Sequence, residues 1–113
     1  MKKFSREEVA QQIRDCGTSL DSAYSESYSY YIHIDEETGD FAPYIRPGVV
    51  TFEWPAPYVD DIMDEAQAVH PDDDDARDRY FWDHVFDCES DLNSPFGDVV
   101  DGLTDEINRY FAG

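Results

Sequence analysis

The chain is almost without lysine: only Lys2 and Lys3 occur, both at the terminus. That scarcity excludes several chemistries. Phosphoryl transfer usually wants a lysine, an arginine or a glycine loop cradling the phosphates, and no such loop is present. With 8 basic against 27 acidic residues and a net charge of −19, the surface repels nucleic acid and anionic membranes. Cysteine is equally scarce. Cys16 and Cys88 stand far apart, in no metal-binding or redox spacing; reduced thiols and a cytoplasmic setting inside a host cell are the simpler expectation, with a single disulfide as the alternative. No apolar stretch reaches membrane-spanning length, and none follows the two lysines as a signal peptide requires.

What is abundant is acid beside aromatic surface. In 113 residues, 41% hydrophobic and 15% aromatic content predicts one folded domain, 1–113, despite the self-repulsion of its charge. The charge is uneven. Residues 1–57 hold 10 acidic and 5 basic residues; residues 58–113 hold 17 and 3. The first part reads as helix plus sheet, the second as an acidic helical part.

Ser5 and Glu8 fit a capping box, and Phe4 with Val9 a hydrophobic staple. Val9, Ile13 and Cys16 then share a helical face, with Gly17 as a stop. Residues 18–27 are ambiguous. "YSYYIHI" alternates, with Tyr28, Tyr30, Ile32 and Ile34 on one side, and predicts a strand. "DEETGD" predicts a turn, "FAPYIR" a returning strand broken by Pro43, and "VVTFEW" a third, with Val50, Phe52 and Trp54 on one face. The expectation is α+β: an N-terminal helix, a three-stranded antiparallel meander, then two or three acidic amphipathic helices.

In that acidic part Tyr58, Val59, Ile62, Met63, Ala66 and Val69 have helical spacing. Ala76, Tyr80, Phe81, His84, Val85 and Cys88 fit a second helix, against a competing strand through "RYFWDHVF". Ser94-Pro95 reads as a cap and first turn, and Phe96, Val99, Val100, Leu103, Ile107, Tyr110 and Phe111 as a third apolar stripe.

Candidate chemistry is thin. "HPDDDD" offers an imidazole and four carboxylates, but consecutive residues do not converge on one ion, and the EF-hand pattern is missing. His84 and Cys88 are spaced as half a zinc site without a second pair; a histidine and a cysteine in the core is the plainer reading. Neighbouring acids raise a thiol pKa, which counts against Cys88 as a nucleophile activated by His84. Carboxylate pairs such as Asp60 with Asp64 and Asp101 with Asp105 are too numerous to single out a catalytic one. The expectation is a protein that is no enzyme, with no cofactor and no metal.

What remains is a surface. Asp60, Asp61, Asp64 and Glu65 at helical spacing make one linear array of negative charge; Asp98, Asp101 and Asp105 make another. Asp72, Asp73, Asp74, Asp75 and Asp78 lie between them. Phosphates advance about 3.4 Å along a DNA strand, and four helical residues advance about 6 Å. Such arrays present phosphate-like density to a basic groove and speed its association. Tyr80, Trp82 and Tyr58 are candidate anchors, although each taken singly suits a core as well.

Size, net charge and the arrays "VDDIMDEA" and "DDDDARD" resemble the small acidic proteins with which phages and mobile elements disarm host defences: anti-CRISPR proteins, antirestriction proteins and the uracil-DNA glycosylase inhibitor. The resemblance is compositional, spread over residues 58–106, and carries no motif residue by residue. It implies a non-catalytic DNA mimic whose partner is a basic host nucleic-acid-binding protein or nuclease complex, with a homodimer open. The rival readings are an immunity protein or antitoxin against a basic nuclease toxin, a halophilic domain, and a metal-dependent hydrolase.

Overall fold

The computed structural model describes residues 3–15, 20–21 and 28–112. Helix α1 spans Arg6–Asp15, and α2, α3 and α4 span Pro57–Val69, Asp74–Glu89 and Pro95–Ala112. Strand β1 is Leu20–Asp21, β2 is Ser29–Asp35 and β3 is Val49–Pro55.

The expected meander is not formed. The sheet is essentially a two-stranded antiparallel ribbon: β2 pairs with β3 along its whole length, from Ser29 opposite Pro55 to Asp35 opposite Val49. The segment 41–46 was expected between them. It makes only an isolated bridge, Phe41 to Ile34, with Ala42 N–H donating to His33 O at 2.9 Å. Since β3 fills one edge of β2, that bridge falls on the other. The two-residue stub β1 pairs with Tyr30 and Ser29. The physical reason is the two prolines, Pro43 and Pro47: neither has the N–H a central strand must donate. The segment therefore becomes part of a wide loop. At its start Asp35 accepts the backbone N–H groups of Glu37 and Thr38, which hold its carboxyl below its ordinary pKa, and Gly39 takes φ 74°.

Alternation in β2 buries Tyr30, Ile32 and Ile34. Together with Phe52 they meet the apolar faces of the helices. α1 contributes Val9, Ala10 and Ile13, while α4 contributes Phe96, Val99, Val100, Leu103 and Ile107. The capping box forms as its spacing predicts: Glu8 N–H donates to Ser5 Oγ at 3.2 Å, and Ser5 N–H to Glu8 Oε1 at 3.4 Å. The expected stop at Gly17 and the place of Cys16 lie outside the described residues, as do residues 18–19 and 22–27.

The N-terminal segment is tied to α4. Phe4 N–H donates to Asn108 Oδ1 at 2.8 Å, and Asn108 Nδ2 donates back to Phe4 O at 2.9 Å. α4 opens as expected, with Phe96 N–H donating to Ser94 Oγ at 3.2 Å. It lies close against β3: a Cβ on Gly102 would stand 2.2 Å from Trp54 Cε2, so only glycine permits this approach. Tyr110, expected inside, is instead half exposed and donates its hydroxyl to Glu36. No described helix is long and apolar enough to cross a membrane.

Candidate acidic interface

α2 and α3 pack against each other and are joined by the short turn that carries the aspartate run. That turn is braced by Arg77. Its Nε donates to His70 O at 3.2 Å, Nη2 to Pro71 O at 2.8 Å, and Nη1 pairs with Asp74 Oδ1 at 2.8 Å. Asp73 Oδ1 accepts Ala76 N–H at 3.1 Å and caps α3. Asp74 and Asp75 sit in the first turn, where the positive end of the helix dipole favours them. The tetra-Asp run is therefore a structured helix cap, and "RYFWDHVF" is helix, not strand.

The expected interface residues divide by role. Asp61, Asp64, Glu65, Asp72, Asp75, Asp78, Asp98 and Asp105 are exposed. Asp60 was expected on the outer face of α2 but is half-buried, where its Oδ1 accepts Tyr28 N–H at 2.9 Å. It ties the start of β2 to α2. Asp101 pairs with Arg6 at 2.9 Å, joining α4 to α1. Asp73 and Asp74 hold the turn, as above. Glu65 accepts the Tyr80 hydroxyl, and that bond, ahead of burial, raises the phenol's pKa. The exposed acids of α2, the turn and α3 are thus carried by two packed helices and the braced turn between them; Asp101, on α4, pairs with Arg6 of α1.

Tyr80, the expected anchor, is half-buried. Its ring stacks on His84, with centroids 4.0 Å apart, and meets His70 edge-on at 5.9 Å. His84 was expected in the core with Cys88; it is exposed, and its Nδ1 lies 2.7 Å from Tyr80 O, which can only accept. Cys88 is a half-buried free thiol with its pKa raised, by burial first and then by Asp87, Glu89 and Asp91. Among the described residues no group of three or more His, Cys, Asp or Glu is gathered to hold a metal ion. No protein-family model, curated protein or solved structure matches the chain.

Behind this corner lies a buried polar group that no sequence pattern announced. Glu89 is 3% exposed, and Tyr30 Oη donates to its Oε2 at 2.9 Å. Tyr58 Oη is 2.6 Å from Tyr30 Oη. Burial is the first cause raising both phenols above their ordinary pKa of 10.0. Tyr58, a candidate anchor by sequence, is therefore committed to the interior. Arg14 Nε donates to Glu89 O at 2.6 Å and closes the helix end from the α1 side. The triad joins β2, α2 and α3, and holds the two acidic helices against the sheet.

The outer face of the ribbon carries a shallow groove of about 280 Å³ lined by Tyr31, His33, Ile45, Thr51 and Glu53. His33 Nδ1 is 2.8 Å from Thr51 Oγ1 there.

Proposed function

We propose that this protein is a non-catalytic inhibitor that occupies the nucleic-acid site of a basic nucleic-acid-binding protein by presenting a polyanion-like surface. The setting is the interior of a host cell, and the most natural targets are nucleases of the defence type that anti-CRISPR and antirestriction proteins block. The observation that carries the reading is the braced α2–α3 corner. Asp61, Asp64, Glu65, Asp72, Asp75 and Asp78 project from two packed helices and one fixed turn. A flexible acidic tail would lose entropy on docking; a rigid array loses little. The molecule is also elongated, 50 × 30 × 21 Å, which suits a long groove. An immunity protein against a basic nuclease toxin would use the same physics, and its gene neighbour would be the toxin.

The test is affinity capture from the host followed by competition. The captured protein should bind DNA or RNA, release it to this chain, and bind this chain less tightly as salt rises. A variant carrying the amides of Asp61, Asp64, Glu65, Asp72, Asp75 and Asp78 should associate more slowly. Inhibition unchanged in that variant sinks the mimicry reading.

A further inference from the structure

α3 presents two aromatic side chains to solvent. Trp82 is 39% exposed and Phe86 51% exposed. They are one turn apart, and their rings stack at 5.5 Å with planes 28° apart. The core side of the same helix is already filled by Phe81 and Val85. Trp82 rests edge-on against the buried Phe81 at 5.0 Å, which gives one ring of the pair a contact with the core. Around it α3 exposes Asp75, Asp78, Asp83 and Asp87, against one cation, Arg79.

We infer that the stacked Trp82–Phe86 pair is the anchor of the interface and receives an arginine-bearing segment of the basic partner. The inference rests on the inhibitor reading and names the chemistry of its contact. Charge complementarity selects this occupant. An aromatic face attracts a cation, and guanidinium stacks on it better than ammonium does. The carboxylates around the pair then take the remaining N–H donors of the same fork. An exposed aromatic pair on a helix that also exposes Asp75, Asp78, Asp83 and Asp87 offers a cationic, planar group both contacts at once. A nucleic acid would be offered the stacking and refused by the charge. Tryptophan and arginine are also the residues in which interface energy concentrates.

The probes are oligoarginine and oligolysine peptides of equal length, titrated into the full chain and followed by the indole N–H resonances of Trp82 and Trp54. Oligoarginine should move the Trp82 resonance, leave Trp54 in place, and bind more tightly than oligolysine by about fivefold. Trp82→Ala with Phe86→Ala should abolish that preference, and Phe86→Ala alone should halve it or more. Arg79→Gln should tighten both peptides. If the double variant keeps the arginine preference, the inference is overturned. In that case, loss of both peptides in the amides of Asp75, Asp78, Asp83 and Asp87 would leave the acidic-surface reading standing. Equal binding of both peptides by those amides and by the native chain would sink that reading as well. Sedimentation supplies the other contrary outcome: a native dimer that becomes monomeric in the double variant means that a second copy covers the pair.

Discussion

α3 and α4 are neighbours of similar length with opposite habits. α4 sorts most of its residues: Phe96, Val99, Val100, Leu103 and Ile107 inside, Asp98, Asp101, Asp105 and Glu106 outside, with Tyr110 half exposed near its end. α3 does not. It buries Phe81, Val85 and a glutamate, and it exposes a tryptophan and a phenylalanine. Burying a carboxyl and wetting a large ring both cost free energy; the Tyr30 hydroxyl offsets the first cost. The difference is that α4 meets the core along a continuous apolar stripe, whereas α3 meets it partly through a hydrogen-bonded carboxyl and leaves open the aromatic pair proposed above as an anchor.

The sharpest way to break this comparison is truncation on each helix. Leu103→Ala on α4 should lower stability by about 2–5 kcal/mol, whereas Phe86→Ala on α3 should stay within about 0.5 kcal/mol. Urea unfolding of the two variants measures both; equal losses would remove the distinction. Next comes the buried carboxyl. Glu89→Ala removes the carboxylate that accepts the Tyr30 hydroxyl and should cost about 1–3 kcal/mol, with Glu89→Gln losing less. A Glu89→Ala variant as stable as the native chain would mean the triad does not hold α3 in place.

The same triad fixes a pH dependence. Tyr30 and Tyr58 have pKa values raised by burial above the 10.0 they regain on unfolding. A raised folded pKa contributes stability in full below the unfolded value and loses it as pH rises beyond that value. Thermal midpoints should therefore fall steeply above pH 10, and Tyr58→Phe should flatten that fall. A smaller effect of opposite sign belongs to the outer acids. Asp61→Asn with Asp64→Asn should raise stability slightly at low salt, by about 0.5 kcal/mol or less, because it relieves self-repulsion. The gain should vanish at high salt, which a salt series of melting curves would reveal.

These comparisons also explain what could be read in the sequence. Strong local signals survived: the Ser5–Glu8 box, the alternation of Tyr30, Ile32 and Ile34, and the stripe from Phe96 to Ile107 all depend on residues a few positions apart. The returning strand at 41–46 failed because pairing is decided between distant segments, and β3 offered β2 a complete set of partners that a proline-broken segment lacked. Asp60 was misplaced because one backbone N–H, that of Tyr28, recruited it inward. Glu89 was missed because nothing local marks a carboxyl that the distant Tyr30 will satisfy. Trp82 and Phe86 did carry a signal. They form a second apolar stripe beside Phe81 and Val85, and the two stripes together exceed what one side of α3 buries.

The most direct measurement of the central claim is displacement of labelled nucleic acid from the captured partner by two proteins. One is the native chain, and the other carries amides at Asp61, Asp64, Glu65, Asp72, Asp75 and Asp78. The native chain should displace the nucleic acid, less effectively as salt rises, and the amide variant, folded to the same thermal midpoint or higher, should not. Equal displacement by the two, or a native chain that binds the partner while the nucleic acid stays bound, would contradict that claim.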